Sequence, residues 1–222
     1  VGDTKADLTI DPFGFMGRAF HMWDPSGFAG QVQNQAYGYL LPMGPFFAVF
    51  DALRVPEWVA QRLWWAVLLS VAFLGAHRLF VALDLGTNWS RYIGALSYAL
   101  APRILGVMGA ASVEGYPAAL TPWVLVPLVM VASGRAKGLA RAAALSALAV
   151  GLMGGVNAAV NFAAVLPAVL WFLTRHWDRT AAERTGRWPL VVGRAPPSWV
   201  VRRLLLARPT PYFPALLQRP GA

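Results

Sequence analysis

The chain has 222 residues, 57% of them hydrophobic and only 13% charged, with ten Trp, no Cys and a mean hydropathy of +0.50. Soluble domains carry roughly a quarter charged residues, so the composition excludes an ordinary soluble domain and reads as an integral membrane protein; the lack of Cys excludes disulfides and thiolate chemistry. The formal charge of +9 belongs to the tail: seven Arg and no acid follow residue 183, leaving 12 basic against 10 acidic residues before it, so it is not a nucleic-acid-binding face.

Residues 1–62 hold six of the ten acids, eleven aromatics and the amide cluster Gln31-Val-Gln33-Asn34-Gln35 followed by Tyr37 and Tyr39. Phe13, Phe15, Met16, Phe20 and Trp23 lie loosely on one helical face beside Arg18 and His21, which predicts a helix lying in the membrane interface. The apolar run 38–50 is too short to cross and reads as re-entrant or interfacial. Pro56 opens another short helix over 57–62 that leads into Trp64-Trp65.

Apolar sequence then runs to about residue 173. A crossing helix needs about 20 residues. Residues 63–83 fit, and 92–109 form a second span interrupted by Pro102-Arg103. Residues 117–132 make a short third. The stretch 139–173 is too long for one crossing and breaks at Gly154-Gly155, giving helices over 139–155 and 158–173. The architecture expected is therefore all-α, a multi-helix transmembrane bundle with interfacial or re-entrant helices in an outer loop.

Loop charge sets the orientation. The 133–141 loop carries Arg135, Lys137 and Arg141 without an acid, and 174–193 is Arg-rich, whereas the turns at 109–117 and 154–161 carry no base. The positive-inside rule then places 1–62 and Glu114 outside and 174–193 in the cytoplasm of a plasma-membrane protein. Residues 194–222 are Arg, Pro, Leu and Ala with little periodicity, as a shifted reading frame of a GC-rich gene would give. Three scattered His at 21, 77 and 176 have no metal-ligand spacing.

Five strings carry a family resemblance: Asp3-Thr-Lys5-Ala-Asp7-Leu, residues 33–42 (QNQAYGYLLP), residues 61–69 (QRLWWAVLL), Ala101-Pro-Arg103, and residues 151–157 (GLMGGVN). From Asp3 to about Trp188 the chain resembles the N-terminal region of actinobacterial α-(1→3)-arabinofuranosyltransferases. The resemblance implies a GT-C glycosyltransferase fold. It implies a decaprenylphosphoryl arabinofuranose donor and a cell-wall arabinan acceptor at the outer face of the membrane. Such enzymes use a carboxylate early in the first outer loop as base, a place that Asp3 occupies. Family members are several times longer, so this chain reads as a fragment that is inactive alone, with its resemblance ending before the tail.

Inverting glycosyl transfer needs a base for the acceptor hydroxyl, a cation or metal for the leaving phosphate, and an apolar groove for the isoprenoid. Asp3 is the candidate base and Asp7 its fallback; the plain alternative for each is a solvated carboxylate or a helix cap. Lys5, Arg18 and Arg103 are candidates for the phosphate, as is Arg62, against snorkelling to lipid headgroups or, for Arg103, a pair with Glu114. Gln33, Asn34, Tyr37 and Tyr39 offer directional bonds to sugar hydroxyls, against a loop that caps helices. Glu114 is a second carboxylate or metal ligand, against a helix cap; a divalent metal is compatible with the chemistry and no ligand cluster specifies one. Asn157 and Asn161 read as interhelical hydrogen-bonding groups. A transporter or flippase-like component is the rival reading, because Pro- and Gly-broken helices line transporter sites; a non-catalytic membrane scaffold is the third.

Overall fold

The computed structural model describes residues 6–21, 23–24, 30–32 and 36–185, with backbone alone at 24, 31, 32, 110 and 175–185. The described chain is mostly helical. Residues up to Phe172 form one compact unit; a second begins at Leu173.

Two short helices, α1 (Ala6–Ile10) and α2 (Pro12–Ala19), open the chain. Asp11 caps α2, its carboxylate accepting from the Gly14 N–H at 2.8 Å, and Pro12 sits where a missing N–H costs nothing. A two-residue antiparallel ladder pairs β1 (Trp23–Asp24) with β2 (Gln31–Val32), a small departure from the all-α expectation. The chain then makes a 3₁₀ turn, Ala36–Tyr39, and the helix α3 (Met43–Ala52). Leu8, Met43, Phe47 and Tyr39 bury themselves in the core beneath these pieces.

The long helix α4 runs over Glu57–Ala82, 26 residues in one piece. The expected short helix 57–62 and span 63–83 are thus a single element. Pro56 supplies its start, and nothing between Arg62 and Trp64 breaks the backbone pattern. The expected span 92–109 is instead two helices, α5 (Asn88–Ala99) and α6 (Pro102–Ala110). The physical reason is Pro102. It has no N–H to continue the ladder, and it holds Ala101 in an extended conformation at ψ 139°. Thr87 and Ser90 form a reciprocal capping box at the start of α5.

A 3₁₀ turn, Ser112–Glu114, leads into α7 (Gly115–Ala132); α8 (Leu139–Gly151) and α9 (Ala158–Thr185) follow. Among the described residues two helices are long and apolar enough to cross a membrane: α4, and α7 with its preceding turn. The α8 helix and the apolar part of α9, Ala158–Thr174, are shorter. Exposed Leu96, Ile93, Leu148, Phe162 and Leu170 put apolar surface on the outside of this unit, as lipid or further helices require.

Helix α4 packs against both α5 and α7, and α7 packs on α8. Gly75 makes the α4–α7 contact close: a Cβ there would lie 2.5 Å from Trp123 Nε1. The Trp123 indole donates across the seam to the Val71 carbonyl at 2.9 Å. Pro122 removes the N–H that would have bonded the Ala118 carbonyl, and the Tyr98 hydroxyl of α5 donates to that carbonyl at 2.5 Å. An internal proline is therefore repaired from a neighbouring helix, as low-dielectric packing demands.

Candidate functional site

Three segments meet at the N-terminal end of α7. The 3₁₀ turn Ala36–Tyr39 lies directly on the loop between α8 and α9. A Cβ on Gly38 would come 2.7 Å from the Gly154 carbonyl oxygen, and one on Gly154 would come 2.5 Å from the Gly38 oxygen. Gly154 and Gly155 both take left-handed backbone, at φ 81° and 76°, which a side chain would strain. Glycine is needed at this crossing for both reasons.

The same loop delivers Asn157. Its carboxamide oxygen accepts from the Val160 N–H at 3.3 Å, capping α9. Its Nδ2 donates to Glu114 Oε1, also at 3.3 Å. Glu114, half-buried, is thereby tied to a loop 43 residues away. Tyr37 and Asn161 flank Gly155, each 3.9 Å from where its Cβ would stand, and Tyr37 is 55% exposed.

Beside this junction lies an open cleft of about 330 Å³, lined by Pro102, Arg103, Gly106, Val107, Ala111 and Glu114. Arg103 and Glu114 share it without an ion pair: the described pairs are Arg18 with Asp11 at 3.7 Å and Arg91 with Asp84 at 2.9 Å. The expected Arg103–Glu114 pair is therefore not made. A cation and a carboxylate that face one cleft without neutralising each other are both available to a ligand with hydroxyl or phosphate groups. No group of three or more His, Asp or Glu that could hold a metal occurs among the described residues.

The other sequence candidates fall in different places. Asp3, Lys5, Gln33 and Asn34 lie outside the described residues. Asp7 is exposed on α1. Arg18 is engaged by Asp11 at 3.7 Å, and Arg62 lies over the Trp58 ring at 5.0 Å, a cation–π contact. Tyr39 is 5% exposed and packs edge-on against Phe15, so its ring is core rather than sugar-facing surface. Asn157, expected to bond between helices, caps α9 and holds Glu114. The signal was present in the string itself, since Gly-Gly followed by Asn marks a helix end and a new N-cap.

Comparisons with known proteins bear on the family resemblance. The family profile described as the N-terminal GT-C domain of α-(1→3)-arabinofuranosyltransferase matches residues 1–217. The chain is 45% identical over 219 residues to the α-(1→3)-arabinofuranosyltransferase of Mycolicibacterium smegmatis, covering 99% of this chain and 15% of that protein. It is 44% identical over 220 residues to the protein of the same name from Mycobacterium tuberculosis, covering 99% and 16%. Among solved structures, the cryo-EM structure of arabinofuranosyltransferase AftD from Mycobacteria superposes with a TM-score of 0.71 at 45% identity, over 92% of this chain and 15% of that one. A mutant form of the same enzyme gives 0.73 at 46%. The chain thus spans about 15% of the length of the curated relatives it matches. The profile reaches residue 217, so the family pattern includes the Arg- and Pro-rich tail, against the expectation that it stops near Trp188.

Proposed function

The chain belongs to the family of α-(1→3)-arabinofuranosyltransferase N-terminal GT-C domains, and on that premise we propose that it forms part of the catalytic face of a membrane arabinofuranosyltransferase. The donor in this reading is decaprenylphosphoryl arabinofuranose, and the acceptor is arabinan of the cell wall. Residues 1–62 and Glu114 face the extracytoplasmic side of the plasma membrane, and the basic 133–141 loop faces the cytoplasm, as its charge favours.

One observation carries the reading. Arg103 and Glu114 line one open cleft, unpaired with each other, where the Tyr37 turn and the Asn157 loop converge. In sequence the amide segment Gln33-Asn34 enters that turn directly, which supports its use for sugar hydroxyls. In the reaction, the carboxylate of Asp3 takes the proton of the acceptor hydroxyl as its oxygen bonds to the anomeric carbon. The bond from that carbon to phosphate oxygen breaks, and decaprenyl phosphate leaves with the electron pair and inversion of configuration. Arg103, with Lys5, offsets the charge that gathers on the phosphate. Glu114, oriented by Asn157, accepts hydrogen bonds from sugar hydroxyls.

The test measures transfer from labelled decaprenylphosphoryl arabinofuranose by the intact gene product. Asp3→Asn is expected to lower turnover by about 10²–10⁴-fold with expression and membrane insertion unchanged, the usual contribution of a general base. Glu114→Gln keeps the shape but removes the charge, and is expected to raise KM more than it lowers kcat. Full turnover in Asp3→Asn removes the base assignment. Unchanged kinetics in Glu114→Gln remove the cleft from the reaction.

A further inference from the structure

A second concavity runs along α7 from Val131 back to Leu120. It is a groove of about 710 Å³ between α7 and α8, with walls that include Leu120, Val126, Met130, Leu145, Leu148 and Leu152. Its interior is apolar, but three cations border it: Arg78, Lys137 and Arg141. The Arg78 guanidinium stacks on the Trp123 ring at 4.9 Å. Among the described residues none of the three makes an ion pair. The neighbouring Arg135 is spent on backbone, donating to the Val81 carbonyl at 2.8 Å. No acid lies anywhere in the 133–141 loop.

We infer that this groove is a binding site for an anionic phospholipid, with one acyl chain lying between α7 and α8 and the phosphate held by Lys137 and Arg141. Length supports it. From Arg141 to Leu152 the groove follows α8 for eleven residues, about 16 Å at 1.5 Å per residue. That is about half of a hydrocarbon core of ~30 Å, the depth of one leaflet. Charge supports it as well. Basic side chains at a membrane surface attract anionic headgroups, and a cation such as Arg78 inside an apolar helix is costly until an anion or water satisfies it. The groove therefore has an acyl-length apolar floor with its cations gathered toward one mouth, the polarity of a phospholipid. A zwitterionic lipid would fill the floor equally but bring its own cation to Lys137 and Arg141.

The test uses the full chain in mild detergent, titrated with phosphatidylglycerol or with phosphatidylcholine of the same acyl chains and followed by native mass spectrometry. Wild type is expected to retain one phosphatidylglycerol under activation that strips phosphatidylcholine. Lys137→Gln with Arg141→Gln is expected to weaken phosphatidylglycerol by about 25-fold, about fivefold for each basic side chain, with phosphatidylcholine unchanged. The charge-conserving pair Lys137→Arg and Arg141→Lys is expected to keep the preference, which separates charge from folding. Because the chain has no Cys, Leu145→Cys gives one reporter in the groove, and phosphatidylglycerol is expected to slow its reaction with N-ethylmaleimide. Equal retention of the two lipids overturns the site, as does unchanged affinity in the Gln pair. Protection of the Leu145→Cys thiol by glycerol phosphate as strong as that by the lipid reduces the site to a bare anion contact and also overturns it. Persistent fast labelling in the lipid-saturated intact gene product would mean the chain does not occupy the groove, and slow labelling there without any lipid would mean another helix does; either result overturns the proposal.

Discussion

Beside the start of α7 two other segments cross backbone on backbone at Gly38 and Gly154, and along the rest of the helix runs an open apolar groove with its cations toward the Ala132 end. The Gly115 end is rich in carboxylate and amide: Glu114, Asn157 and Asn161 cluster there with Tyr37 exposed beside them. The Ala132 end is cationic, with Arg135, Lys137 and Arg141 and no acid in the loop. The contrast teaches how one helix serves two environments. Directional polar groups need fixed geometry to bind a sugar or phosphate, and close glycine contacts fix it. Lipid-facing cations need only proximity to a charged surface, so the groove there can be loose.

The largest way to break that contrast is to loosen the Gly115 end. Gly154→Val puts a branched side chain at φ 81° and against the Gly38 carbonyl at a distance no Cβ tolerates. The expected cost is about 3 kcal/mol or more, from strain and overpacking together. It should be read as a lowered unfolding temperature in detergent and as lost transfer by the intact gene product. Gly151→Ala is the control three residues away: nothing lies within 4 Å of its Cβ position and its φ is not positive. It is expected to be neutral or slightly stabilising. Equal damage from both substitutions would show that the Gly38–Gly154 crossing is not what holds the junction.

The middle of α7 offers a sharper comparison. Tyr98→Phe removes the donor that repairs the carbonyl freed by Pro122. A buried carbonyl left without a partner costs about 1–3 kcal/mol. If the repair explains the tyrosine, Pro122→Ala restores a backbone N–H and the same Tyr98→Phe change becomes nearly neutral in that background. The double-mutant cycle measures this directly, and an additive result would remove the link between the two residues.

Much of this arrangement was legible in the chain. The breaks at Gly154-Gly155 and Pro102 were visible as residue types, because glycine and proline act locally and need no partner. What they would do was less visible. Pro102 reads as an interruption of a span, but the extended Ala101 before it makes two separate helices instead. Glu57, Gln61 and Arg62 read as a short helix apart from the span because they are polar, yet they simply form the first turns of α4. The pairing of Asn157 with Glu114 crosses 43 residues, and no periodicity encodes a contact of that separation. Tyr37 and Tyr39 looked equivalent two residues apart; in a 3₁₀ turn of about three residues per turn they face different ways, and only Tyr39 enters the core. Charge asymmetry between the two ends was the most durable signal, since it depends on counting and not on register.

The smallest expected effect tests whether the Ala132 end is as loose as the contrast requires. Arg135 closes the C-terminal turn of α4, donating to the Val81 carbonyl at 2.8 Å and the Ala82 carbonyl at 3.3 Å. Those carbonyls lie at the negative end of a 26-residue helix, so a guanidinium there gains both hydrogen bonds and the helix dipole. Arg135 is exposed, and water can replace it. Arg135→Ala is therefore expected to cost only about 0.5–1 kcal/mol, an effect that shrinks further as salt is raised. Thermal unfolding at low and high ionic strength reads both quantities. A loss as large as that from Gly154→Val, or one indifferent to salt, would mean that this end is held by specific geometry too. The helix would then be anchored tightly at both termini, and the division between a fixed polar end and a loose cationic end would fail.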